Sequence, residues 1–187
     1  KDTESVVKDG ENNNIAVLKN INNFKNIEVG DSVIKMMLFK NSQMRLTNLK
    51  DISKFTLAFN IEFLDITNHQ IIINCLTNDD FTLWAVYIEN NKIYVTYKNK
   101  TKKLIKITKN KLHNLVINYE LNKLTVYLNN DSVTITNEKQ YSNNDNNILI
   151  GGLFKNNKLL NPIHAFIGNI NLYKEIINPF EVNYNTD

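Results

Sequence analysis

From Lys54 to Leu64 the chain reads KFTLAFNIEFL, with Phe55, Leu57, Phe59, Ile61 and Phe63 on every second position and Thr56, Ala58, Asn60 and Glu62 between them. Strand side chains alternate between faces, so this spacing predicts a long strand with one apolar, buried face and one wet face. The pattern recurs along the chain. Strands are predicted over residues 33–39, 43–49, 54–64, 70–76, 81–89, 92–97, 103–107, 112–119, 123–128, 132–136, 147–154 and 163–174, with an edge strand also open to residues 15–18. Over 81–89, Phe81, Leu83, Ala85 and Tyr87 alternate with Trp84, Val86 and Ile88, an apolar pattern on both faces that predicts a central strand. Short strands at this spacing, separated by turn residues, predict an all-β protein built as a two-sheet antiparallel sandwich.

Helix enters this picture at one place. In NPFEV, Asn178 can cap, Pro179 suits the first helical position and Glu181 lies in the first turn, which predicts one short C-terminal turn. Residues 1–14 are polar and read as a flexible lead-in. No internal repeat at a solenoid period is present.

The turns draw on Asn and Asp rather than Gly and Pro, of which there are only 5 and 2. ENNK at Glu89–Lys92, LNND at Leu128–Asp131 and NNDNN at Asn143–Asn147 all suit turns, because Asn and Asp tolerate left-handed backbone and bond to their own turns. With 187 residues, 42% of them hydrophobic, the chain can bury one core, and residues 1–187 read as a single domain of a larger protein. The start, KDTESVVKDG, lacks the apolar core of a signal peptide, and an opening Lys1 without Met reads as a mature or excised piece. Cys75 is the only cysteine, which removes internal disulfides and cysteine zinc sites. A net charge of +3 is too mild to point to nucleic acid.

The order of signals from Phe55 onward, through FTLAFNIEF, QIIINCL, LWAVYIENNKIYVTY, LHNLVINYELNKLTVYLNNDSVTI, NILIGG and FIGNINLYKEIINPFEV, resembles the concanavalin A-like jelly roll of laminin-G, pentraxin and many carbohydrate-binding domains. In that family a hairpin with Asn-Gly follows the strand matching LVINY; here it reads VYLNND, which implies positive φ at Asn130. IIINCLTNDDFTLWAVYIENNKI is also similar to the first receptor-binding subdomain of clostridial neurotoxins and of their non-toxic companion protein, which share the roll. The likeness speaks to architecture; it does not name a ligand.

An enzyme of this fold implies a glucanase with two facing carboxylates, but the family's E-x-D-x-x-E strand motif is missing. Glu62 and Asp65 are the nearest pair, and their odd spacing places them on opposite strand faces. His69, His113 and His164 stand in no metal spacing and read as surface or strand-end residues, although His113 could meet a serine in space. Cys75, inside an apolar run, reads as a buried, inert thiol. Calcium is the family's usual metal. Asp79, Asp80, Asn143, Asn144, Asp145 and Asn146 offer oxygen ligands, yet the same residues are ordinary turn formers and no spacing decides between the two roles.

Two surface features remain. The stretch KNKTKKLIKITKNK carries Lys98, Lys100, Lys102, Lys103, Lys106, Lys109 and Lys111 with no acid between them. It reads either as an edge hairpin protected from aggregation or as a cradle for anionic glycans or an anionic membrane surface. Tyr94 alternates with Ile93 and Val95, and Tyr127 with Val126 and Leu128, so both should point outward, as cross-strand packing or as sugar-stacking platforms. Asn99-Lys100-Thr101 and Asn130-Asp131-Ser132 match the N-glycosylation pattern, of consequence only in a eukaryotic secretory pathway.

Together these readings predict a non-catalytic surface-binding module, secreted or on a cell surface, with no cofactor other than a conceivable calcium. The partner is a glycan or cell-surface receptor, and the residues expected at the contact are Tyr94, Tyr97, Tyr127, Lys102 and Lys103. The alternative is a protein-interaction or structural domain of a toxin complex or surface protein.

Overall fold

Alternation becomes strand throughout the described residues, which in this computed structural model are 4–8, 14–21, 23–46, 53–77, 81–138 and 147–179. In chain order the strands are β1 (Glu4–Lys8), β2 (Asn14–Lys19), β3 (Phe24–Val29), β4 (Ser32–Phe39), β5 (Gln43–Leu46), β6 (Lys54–Phe63), β7 (Gln70–Leu76), β8 (Thr82–Glu89) and β9 (Lys92–Tyr97). They continue as β10 (Lys100–Lys106), β11 (Leu112–Glu120), β12 (Lys123–Leu128), β13 (Asp131–Thr136), β14 (Asn147–Ile150), β15 (Leu153–Lys155), β16 (Lys158–Leu160) and β17 (Ala165–Tyr173). An eight-stranded sheet has the order β1-β2-β5-β14-β7-β8-β9-β10, and a seven-stranded sheet the order β13-β12-β11-β6-β17-β4-β3. All strand pairs within them are antiparallel. No helix occurs among the described residues; of the predicted turn only Asn178 and Pro179 are described, and residues 180–182 lie outside them.

The two sheets face each other across one apolar layer. Phe55, Phe59 and Phe63 of β6 and Trp84, Val86 and Ile88 of β8 meet there, all at 0% exposure. Its aromatic centre is Phe55, Trp84, Tyr97 and Tyr119, with Phe55 5.3 Å from Tyr119 and Tyr119 6.2 Å from Tyr97 between ring centroids. Fully burying a side chain of this size is worth about 1.5–3 kcal/mol, so the inward row accounts for why β6 runs ten residues without a break.

Where turns need left-handed backbone, asparagine supplies it. Asn90 and Asn91 (φ 51° and 60°) join β8 to β9, and Asn156 and Asn157 (φ 52° and 59°) join β15 to β16. Positive φ at both central residues is the hairpin turn whose twist matches that of its strands. In the β12–β13 turn the residue at positive φ is Asn129 (φ 54°), not Asn130 as the family hairpin implied.

The structure departs from the sequence reading in several elements. Glu4–Lys8, within the expected lead-in, pairs with β2, and Phe24–Val29 adds an unforeseen edge strand on β4. The strand expected over 147–154 is broken at Gly151 and Gly152, after which β15 and β16 fold back as a separate hairpin. At Gly151 (φ 108°) an added Cβ would lie 2.5 Å from the Ser42 carbonyl oxygen, so only glycine passes there. Lastly, the predicted wet face of β6 is covered: Thr56, Ala58, Asn60 and Glu62 are all buried. The chain after β17 crosses this face. The Thr56 hydroxyl donates to the Glu175 carbonyl at 2.9 Å and accepts from the Ile177 N–H at 2.9 Å, and the Asn118 amide donates to the Ile177 carbonyl at 3.1 Å.

Candidate functional site

The outward face of the seven-stranded sheet is partly occupied by its own chain, and the eight-stranded sheet presents the other outward face. Register places Val17, Arg45, Leu149, Asn74, Ala85 and Thr96 in one row across its outward face. Leu149 and Asn74, in the middle of that row, are buried although they point away from the core. The β15–β16 hairpin rests there, held by the Asn74 amide donating to the Gly152 carbonyl at 2.6 Å. It forms a ridge that divides the face in two.

On the β8–β9 side of the ridge, Tyr87 and Tyr94 are direct cross-strand partners, each three residues from the Asn90–Asn91 turn. Their rings stack with centroids 5.5 Å apart and planes 16° from parallel. The His69 ring extends the row, 5.1 Å from Tyr87, and Lys103 stands in register with Tyr94 on β10. Both tyrosines are partly exposed and Lys103 is exposed. Partial burial, followed by the charge of Glu89 and the neighbouring Tyr94, pushes the Tyr87 hydroxyl above its ordinary range. Next to this row Thr101 and Thr96 join hydroxyls at 3.2 Å. The result is an aromatic strip bordered by hydroxyls and one cation.

Of the residues predicted for the contact, Tyr94 and Lys103 therefore come together. Tyr97 does not reach the surface. It is 0% exposed, on the inward side of β9, and its hydroxyl donates to the Leu121 carbonyl at 2.7 Å. The same alternation sends Lys102 the opposite way from Lys103: its ammonium donates to the Thr134 carbonyl at 2.7 Å, as that of Lys100 does to Thr136 at 2.6 Å. These two lysines bridge the gap between edge strands β10 and β13, as edge protection requires. Tyr127 faces outward as predicted, but from the other sheet, where it packs with Ala58, Val116, Tyr173 and Ile177. Tyr87 and His69 were missed; the equal spacing of the two tyrosines from the Asn-Asn turn was the available signal for Tyr87.

Comparison with known proteins adds the family. Residues 68–174, more than half of the chain, match the family model of the laminin G domain. The chain belongs to the laminin G domain family. Among solved structures, this laminin G domain is similar to a Trypanosoma rangeli sialidase in complex with 2,3-difluorosialic acid, with a TM-score of 0.66, 12% identity, and 87% of this chain on 28% of that one. It is similar to the receptor binding domain of a botulinum neurotoxin mosaic serotype C/D, with a TM-score of 0.60, 14% identity, and 95% of this chain on 48% of that one. The binding domain of botulinum neurotoxin serotype D gives a TM-score of 0.60 at 14% identity, with 96% and 50% covered. The chain thus spans half or less of each of these structures, and at such identities the likeness is one of fold. No curated protein matches it.

The remaining polar candidates of the laminin G domain have structural partners. Both carboxylate oxygens of Glu62 accept from Lys25, at 2.8 and 2.7 Å, and Lys25 also sits 4.9 Å above the Phe166 ring. Asp65 lies past the end of β6, where it accepts from the Thr67 N–H at 2.9 Å and the Thr67 hydroxyl at 2.7 Å. Those bonds, the backbone one foremost, hold its carboxyl below the usual 3.8. Among the described residues the His113 ring nitrogens bond not to a serine but to the Asn129 amide at 3.0 Å and the Thr108 carbonyl at 3.2 Å. Cys75 is buried, as predicted. Asp79, Asp80 and Asn143–Asn146 lie outside the described residues, among which no cluster of three metal-ligating acids, histidines or cysteines occurs.

Proposed function

We propose that this laminin G domain is a non-catalytic binding module that holds a glycan on the outward face of its eight-stranded sheet, in a secreted or cell-surface setting. The observation that carries the reading is the Tyr87–Tyr94 stack, two phenol rings side by side on an open face with Lys103 in register. Such rings offer an apolar body to the C–H face of a sugar and a hydroxyl at the rim, while the lysine favours an acidic substituent. The nearest pair of carboxylates supports a non-catalytic reading: Glu62 is neutralised by Lys25 and Asp65 is committed to its turn, so these two are not poised across a glycosidic bond.

The test is a glycan array followed by titration of the hits. Binding is expected to fall at least tenfold in Tyr94→Ala and in Tyr87→Ala, since each stacked ring supplies about 1–3 kcal/mol on analogy with base stacking. Silence of the array, or hits indifferent to both substitutions, rejects the glycan reading. A second reading, a domain docked on a protein partner, is favoured by the edge hairpin β3–β4, where Phe24, Val29 and Val33 are 50%, 43% and 63% exposed. Co-purification that depends on Val33 and not on Tyr94 would select it.

A further inference from the structure

On the other side of the β15–β16 ridge the same sheet face is concave. Strands β2 and β5 present Val17, Lys19, Gln43 and Arg45 outward, because Ala16, Met44 and Leu46 take the inward positions. The hairpin supplies the opposite wall with Phe154 and, toward its tip, Asn157 and Leu159. Two confluent hollows of about 320 and 150 Å³ share Lys19, Gln43 and Phe154 as lining. Small-molecule sites are of this kind, concave and walled by apolar groups with a few polar ones placed among them.

Two side chains that line this groove carry polar groups with no partner among the described residues. The Gln43 side-chain oxygen is buried with no hydrogen bond to any described residue, an unmet acceptor that a ligand donor would satisfy. Arg45 is exposed, and its guanidinium makes no hydrogen bond or ion pair with any described residue. Lys25, by contrast, is bound to a carboxylate, and Lys100 and Lys102 to carbonyls. An unengaged guanidinium favours a planar anion held by two bonds; the orphan amide oxygen calls for a hydroxyl; Phe154 offers a ring to an apolar sugar face. The space exceeds what an inorganic anion needs.

We propose that this groove is a second binding site and that its ligand is a sugar acid, a saccharide unit bearing a carboxylate. Arg45 takes the carboxylate, Gln43 accepts from a ring hydroxyl and Phe154 packs on the sugar face. The site is separate from the tyrosine row and stands or falls without it. The ridge between the two explains why they do not merge into one trough.

The experiment is a titration of the intact chain, isotopically labelled, with a glucuronate-containing disaccharide and with the neutral glucose disaccharide of the same linkage, followed by amide chemical shifts. The expected result is saturable shifts at Lys19, Gln43, Arg45 and Phe154 with the acid and none with the neutral sugar. Arg45→Ala should weaken the acid about tenfold or more, the share of a charge-assisted pair, and Arg45→Lys should restore only part of it. Arg45 is exposed, so an unchanged melting transition confirms that the variant folds. Shifts confined to Tyr87, Tyr94 and Lys103, equal binding of both sugars, or full affinity in a folded Arg45→Ala would each overturn the proposal.

Discussion

The ammonium of Lys102 reaches across from one sheet to donate to the Thr134 carbonyl on the edge of the other, at 2.7 Å, while Lys103 beside it points to the opposite side. Adjacent, chemically identical residues thus have different work. Lys102→Ala should cost about 0.5–1.5 kcal/mol of stability, the net value of one hydrogen bond, with little change in ligand affinity. Lys103→Ala should leave the urea midpoint unchanged and weaken an acidic glycan, and the wild-type advantage should shrink as salt rises, because an exposed charge is screened. Urea melts and glycan titrations at low and high salt separate the two.

Tyr97 and Tyr94 make the same contrast in one strand. Tyr97→Phe leaves the Leu121 carbonyl without its donor and should cost about 1–2 kcal/mol, with glycan binding intact. Tyr94→Ala removes a partly exposed ring, so it should lower stability less and binding far more. Reversal of that order would mean that Tyr94 is packing and not platform.

These contrasts explain how much the sequence could tell. Period-two alternation is a local signal, and it located β7, β9 and β12 to the residue, with an end of β6 and of β8 displaced by one. It could say which side of its own strand Tyr94 takes. It could not say that Tyr127 sits on the other sheet, since strand order is set by contacts distant in sequence. Burial of Thr56 on the even side of β6 was hidden for the same reason: its cover comes from residues 175–177, about 120 positions away. Tyr97 was misplaced for a different reason. It follows Ile93 and Val95 on the inward side, so the same alternation that turns Tyr94 outward buries it, and the Leu121 carbonyl satisfies its hydroxyl there.

Glu62 and Lys25 form a pair with one partner almost out of water, their side chains being 12% and 36% exposed. Removing only Lys25 leaves a carboxylate in a covered position. Lys25→Met should therefore destabilise by about 1–3 kcal/mol, below the 3–5 typical of a fully buried pair because water still reaches the ammonium. Lys25→Met with Glu62→Gln should recover part of that loss. A double-mutant cycle by chemical denaturation measures the coupling, and a value near zero would show that the pair is incidental.

Asp65 sets a pH dependence with a definite sign. Its folded-state pKa is depressed, so its contribution is present above the ordinary value of 3.8 and is lost as pH falls through the lower folded value. The stability gap between the wild type and Asp65→Ala should be full at neutral pH and close at strongly acid pH. The turn is solvent-accessible, so the gap is of order 0.5 kcal/mol. Equilibrium melts of both proteins across the acid range test this, and a gap that widens on acidification contradicts it.

The ridge that separates the two proposed sites depends on how the chain turns at Gly151. Gly30 and Gly151 both have positive φ, at 59° and 108°, but their surroundings differ. Around Gly30 nothing lies within 4 Å of an added Cβ, so Gly30→Ala should cost only the left-handed penalty, about 1–2 kcal/mol, and Gly30→Asn less. At Gly151 the added atom meets the Ser42 carbonyl oxygen at 2.5 Å and the Phe39 ring at 2.8 Å, neither of which can yield without moving β4 or the core. Overpacking then adds to backbone strain, and Gly151→Ala should cost about 3 kcal/mol or more. Because Gly151 also donates to the Ile72 carbonyl and accepts from the Ile163 N–H, the displacement should spread to the β15–β16 hairpin that walls the groove. Amide exchange should therefore accelerate in residues 153–160 of a Gly151→Ala variant while β11 and β12 remain protected. Equal melting transitions for the two alanine variants would show that this turn has slack and that the ridge is not fixed by it.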